Sequence, residues 1–154
     1  MRVIVESVLP CRADLAWVAV QTSALLLEVA SPVAVIRPLV GDALPERWAA
    51  GQSFRCRSYL FGVIPVGTRT VRIESIDSAD LAIRFRESDP LCSRWDHLIG
   101  IRPMADGRCR YRDEIDFEAG WLTLFVWLFA QAFYRHRQRR WRRVALRLAT
   151  DGSR

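Results

Sequence analysis

The chain has 154 residues, 51% of them hydrophobic and 26% charged. That is enough apolar mass for one core, and it excludes a disordered tail, a collagen-like chain and a linker. All 23 basic residues are Arg, with no Lys and no Asn in the chain, and the net charge of +6 raises the question of a polyanionic partner. A GC-rich coding sequence accounts for the Arg bias without any functional role.

The first ten residues alternate Val3, Val5 and Ser7 with Ile4, Glu6 and Val8 before Pro10, which predicts a strand. They hold no apolar run long enough for a secretory leader, so a cytoplasmic location is expected. Asp14 opens a helical stretch with Leu15, Trp17, Val18 and Val20. A second short helix is expected over Ser23 to Ala30, stopped by Ser31-Pro32.

Six strand signals follow. Val33 to Leu39 is β-branched and bounded by Pro32, Pro38 and Gly41. Ser53 to Phe61 places Phe54, Cys56, Ser58 and Leu60 on one face and Arg55, Arg57 and Tyr59 on the other. Thr68 to Ile76 sets Val71 and Ile73 against Arg72 and Glu74. Leu81, Ile83 and Phe85 alternate with Arg84 and Arg86. Trp95, His97, Ile99 and Ile101 share a face, as do Tyr111, Asp113, Ile115 and Phe117 opposite Arg112, Glu114 and Asp116. Gly62, Pro65 and Gly67, then Asp77 to Asp80, Asp89-Pro90 and Asp106-Gly107, supply turn chemistry between the runs.

Gly120 opens the last element, Trp121 to about Leu148, free of Gly and Pro. As a helix it would be about 40 Å long. Its first half, Trp121 to Phe133, is nearly all apolar, and its second half carries seven Arg between Tyr134 and Arg147. The apolar half is too short to span a bilayer. It is apolar nearly all round, so some of Trp121, Phe125, Leu128 and Phe129 should face outward. A second subunit, a loop at a cavity mouth or an anionic membrane surface would suit them. Mixed charge signs on the outer strand faces, with no recognition helix or aromatic RNA-binding signature, argue against nucleic acid.

Hairpin-length links and one-sided strands imply a curved antiparallel sheet of seven strands covered by the terminal helix. One domain over 1–150 with a disordered tail at 151–154 is expected. The order and four stretches resemble the START-like, polyketide cyclase and lipid-transport superfamily, also called SRPBCC or helix-grip. These stretches are Val5-Glu6-Ser7 through Asp14 to Trp17, then Trp95-Asp96-His97-Leu98-Ile99. Tyr111-Arg112-Asp113-Glu114-Ile115-Asp116-Phe117 followed by Gly120 is the third, and Tyr134 to Trp141 the fourth. The resemblance covers residues 2 to 148. It implies an α+β helix-grip fold with an apolar cavity between sheet and helix, and it names no ligand.

A hydrophobic or amphipathic small molecule is the partner such a cavity suits. The candidate lining is Phe54, Leu60, Val71, Ile73, Ile83, Phe85, Trp95, Ile99, Tyr111, Ile115 and Phe117, with Tyr134 from the helix. Each of these also fits a solid core. Two ionisable residues break the apolar faces, His97 and Asp113. A hairpin pairing Ile101 with Cys109 would set His97 opposite Asp113, either as an acid/base pair of a cyclase or dehydratase or as a structural ion pair. Arg137 shares the helical stripe of Ala130, Tyr134, Trp141, Val144 and Leu148. It would either clamp an acidic head group or pair with Asp113. Cys11, Cys56, Cys92 and Cys109 form no CxxC and are expected as free thiols; no metal or other cofactor is expected.

Overall fold

The computed structural model describes residues 1–39 and 43–151. Strand β1 (Arg2–Leu9) leads into two short helices, α1 (Ala13–Val20) and α2 (Ser23–Ala30). Six strands follow: β2 (Ala34–Pro38), β3 (Ser53–Leu60), β4 (Ile64–Asp77), β5 (Ala82–Ser88), β6 (Arg94–Pro103) and β7 (Cys109–Glu118). A 3-10 turn at Gly120–Leu122 then opens the long helix α3 (Thr123–Asp151). The seven strands form one sheet in the order β1-β7-β6-β5-β4-β3-β2, every pairing antiparallel.

Alternation drives the layering. Along β7, Cys109, Tyr111, Asp113, Ile115 and Phe117 are buried while their neighbours stay at the surface or half-buried. The apolar face of the sheet must be covered, and α3 covers it with Ala130, Tyr134, Arg137, Trp141 and Val144, the stripe read from the sequence. Trp141 is fully buried and meets Tyr111 edge-on at 6.1 Å between ring centroids. The four cysteines are buried free thiols.

Three local expectations are corrected. Strand β4 begins at Ile64 rather than Thr68, so Pro65 and Gly67 lie inside it. Ser58 pairs with Gly67 and Tyr59 with Pro65, which leaves Val66 as the extra residue of a bulge. A bulge is where a strand accepts proline, and it bends the sheet. The β6–β7 register is also two residues from the expected one: Ile101 opposes Tyr111, Ile99 opposes Asp113 and His97 opposes Ile115. The turn is centred on Asp106, with Gly107 at φ +78° and the Asp106 carboxylate accepting from the Arg108 amide at 3.1 Å. A shift of two keeps every side chain on its face. Finally, Asp151 is the last residue of α3, not part of a tail. Gly41 and residues 152–154 lie outside the described residues.

Candidate functional site

Helix α3 lies against β1, at one edge of the sheet, and on the far side Val20, Leu25, Leu26 and Trp48 face the strands. There a cavity of about 420 Å³ opens between β3, β4, β5 and β6 on one wall and α3 on the other. No residue of β1 or β7 lines it. Of the residues proposed from sequence, Phe54, Leu60, Val71, Phe85, Trp95, His97, Ile99, Tyr134 and Arg137 line this space. Ile73, Ile83, Tyr111, Asp113, Ile115 and Phe117 do not: they are fully buried in the packed core. Ile73, Ile83 and Tyr111 are enclosed in the core cluster that holds Trp17 and Trp141, and Ile115 in the cluster with Ala130 and Tyr134; Val71, Phe85 and Ile99 belong to the first cluster and Trp95 to the second, and these meet the open space.

The mouth is apolar. Ile64, Leu91 and Phe125 line the cavity and are exposed, and Phe61 and Val63 stand exposed at the β3–β4 turn beside Ile64. Phe61 holds φ at +51° next to Gly62 at +75°, a left-handed conformation that costs a residue bearing a Cβ. Trp121 is 85% exposed and Phe125 66%, and Leu128 is exposed too, while Phe129 is half-buried in the cavity wall. Among the described residues no helix is long and apolar enough to cross a membrane.

A polar cluster sits behind the buried wall. Asp113 accepts three bonds: from His97 Nε2 at 2.8 Å and Tyr111 Oη at 3.0 Å on Oδ1, and from Gln138 Nε2 at 3.0 Å on Oδ2. Desolvation by burial raises the Asp113 pKa. The positive charge of Arg137 and the bonds from His97 and Gln138 outweigh it, and the net direction is below the ordinary carboxylate value. An ionised carboxylate can only accept, so His97 Nε2 carries the proton of this bond. The two-residue register shift makes His97 and Asp113 diagonal neighbours rather than a directly opposed pair, and the side chains still meet. Burial pushes the Tyr111 and Tyr134 hydroxyls upward, so both stay neutral.

Arg137 is 6% exposed and lines the cavity. Its guanidinium carbon stands over the Tyr134 ring at 5.6 Å. The salt bridge to Asp113 weighed from the sequence does not form; the Asp113 oxygens are taken by His97, Tyr111 and Gln138.

Sequence reading passed over a second charged group on the cavity wall. Arg69 Nη1 donates to Glu87 at 2.9 Å and Arg69 Nη2 to Asp89 at 2.5 Å, with the guanidinium over the Trp95 ring at 5.2 Å. Asp89 Oδ1 also accepts from the Leu91 and Cys92 amides, which fixes the β5–β6 loop at the mouth. The signal was parity: Arg69 shares a face with Val71 and Ile73, and Glu87 with Ile83 and Phe85. Gln138 and Trp48 were also passed over, and Trp48 reaches the lining from a loop, where no periodicity announces it. Among the described residues no cluster has the make-up of a metal site.

With this geometry the fold is that of the helix-grip class, a curved seven-stranded antiparallel sheet with a long C-terminal helix across it. Residues 8–145 match the family model described as Domain of unknown function (DUF8410), and the chain belongs to that family. Solved structures with this fold include a Chromobacterium violaceum protein at 11% identity and TM-score 0.71, over 94% of this chain and 96% of the other. The Zhui aromatase/cyclase of Streptomyces sp. R1128 aligns at 14% identity and TM-score 0.63, over 100% and 96%. Norcoclaurine synthase of Thalictrum flavum aligns at 9% and 0.69, over 96% and 87%. At these identities the likeness is one of fold. A comparison with curated protein sequences finds no match.

Proposed function

We propose that this protein binds a hydrophobic or amphipathic small molecule in the cavity between the sheet and α3. The carrying observation is the cavity itself: about 420 Å³ of mostly apolar space, with an exposed apolar mouth and a few fixed polar groups. Burying apolar ligand surface there supplies affinity at about 25 cal/mol per Å² before the costs of association. The norcoclaurine synthase structure holds dopamine and hydroxybenzaldehyde, and the other named relative is an aromatase/cyclase, so the same architecture accommodates aromatic guests elsewhere. Four buried free thiols suit a reducing compartment such as the cytoplasm.

The test is titration with the uncharged dye N-phenyl-1-naphthylamine. Saturable fluorescence enhancement is expected for the wild type. Val71→Trp, which places an indole in the cavity, should weaken binding at least about ten-fold while costing about 1–3 kcal/mol of stability. A wild type that does not bind the dye, or a variant that binds it equally well, would remove this reading.

A second reading, an enzyme of cyclase or dehydratase type, is supported by one feature. The His97 ring forms part of the cavity wall, stacked on Phe85 at 5.8 Å, with Nε2 held by an ionised carboxylate. Such an imidazole has its other nitrogen free to exchange a proton with a bound molecule. Under that reading His97→Gln would abolish turnover and leave dye affinity within about two-fold.

A further inference from the structure

Arg137 sets a demand that the protein does not meet. A guanidinium carries five N–H donors and is always charged. This one is nine-tenths buried on the wall of an apolar cavity, and its Nε is buried with no hydrogen-bond partner. Among the described residues it forms no ion pair either. The two nearby sources of negative charge are already engaged. Asp113 is bonded by His97, Tyr111 and Gln138, and Glu87 is bonded by Arg69. Asp113 and Glu87 therefore lower the cost of burying the charge without using its donors. The contrast with Arg69 is direct: that arginine lines the same cavity and spends its donors on Glu87 and Asp89. The Arg137 guanidinium carbon stands 5.6 Å from the centroid of the Tyr134 ring, a contact that leaves its N–H donors unused.

We propose that the cavity's ligand is an amphiphile bearing a carboxylate, and that Arg137 receives the carboxylate in a forked hydrogen bond while the apolar body extends toward the mouth at Ile64, Leu91 and Phe125. This rests on the cavity-binding reading above and adds the chemical class of the guest. A planar carboxylate offers two acceptors at the spacing of the guanidinium fork, and the low dielectric of the buried wall strengthens the pair. An alcohol or an ester of the same chain length offers neither the charge nor the paired acceptors. It should lose on the order of ten- to a hundred-fold in affinity.

The experiment is displacement of N-phenyl-1-naphthylamine by dodecanoate, by 1-dodecanol and by methyl dodecanoate, for the wild type, Arg137→Met and Arg137→Lys. The expected result is that the wild type prefers dodecanoate at least about ten-fold over both uncharged probes. With each probe's displacement referred to that variant's own dye affinity, Arg137→Met should lose the preference, and Arg137→Lys should restore part of it. Equal affinity of the wild type for the three probes would overturn the proposal, as would a preference that survives in Arg137→Met. The wild-type comparison needs no variant, so a poorly folding Arg137→Met leaves the test standing. If the dye does not bind the wild type at all, the cavity reading fails; if the dye binds and head-group selectivity is missing, only the present proposal fails.

Discussion

Asp113 shows what a buried charge asks of its surroundings. It is 0% exposed, and it stays ionised because His97, Tyr111 and Gln138 saturate its oxygens and Arg137 stands close in charge. Removing that charge leaves donors unmatched in the core, so Asp113→Asn is expected to cost about 3 kcal/mol at neutral pH. The sign of the pH effect follows from the direction of the shift. A carboxyl held below its unfolded value of about 3.9 contributes stability above that value. The contribution is lost as pH falls from there through the lower folded value. Stability measured by urea titration between pH 7 and pH 2.5 should therefore fall less steeply below about pH 4 in Asp113→Asn than in the wild type. Parallel curves would show that the pair of His97 and Asp113 does not carry acid sensitivity.

Helix α3 has two unlike stretches. From Ala130 to Val144 the stripe of Tyr134, Arg137 and Trp141 is buried, while before it Leu124 and Leu128 are exposed, as is Phe125 at the cavity mouth. The buried stretch has more than one anchor. Gln138 Nε2 reaches the Val5 carbonyl at 2.6 Å, and Arg140 Nε donates to the Glu28 carbonyl at 2.9 Å, tying α3 to β1 and α2. Trp141→Ala should cost about 3–5 kcal/mol because it empties a fully enclosed site. Leu128→Ser, more than half exposed, should stay within about 0.5 kcal/mol. Denaturant midpoints compared at constant slope check both. A large loss in Leu128→Ser would mean that the outer face is covered in solution.

At the scale of the molecule, the sheet is wider than the helix that covers it. The β1 and β7 side is filled by α1 and α3, and the β3–β6 side keeps open volume between walls already fixed by the Arg69, Glu87 and Asp89 group. A protein with such a space gains stability from any guest that binds only the folded state. At a free concentration a hundred times Kd the gain is about 2.7 kcal/mol, a rise of several degrees in Tm for a domain of this size. N-phenyl-1-naphthylamine should raise the Tm of the wild type in a concentration-dependent way and raise that of Val71→Trp by about half as much or less at the same dye concentration. An unchanged wild-type Tm at saturating dye would contradict the linkage.

Period-two and period-3.6 patterns in the sequence determined the strand faces, the order of elements and the buried stripe of α3, because those depend on which side chains leave water. They also placed His97, Asp113 and Arg137 on inward faces. Tertiary structure alone decided the β6–β7 register, since two registers that differ by two residues bury the same side chains and only the turn at Asp106–Gly107 separates them. It also decided which inward residues meet open space. Phe85 and Ile83 share one strand face, yet one lines the cavity and the other lies in the solid core. That difference is set by what packs over each position, a property of the assembled layers rather than of either residue.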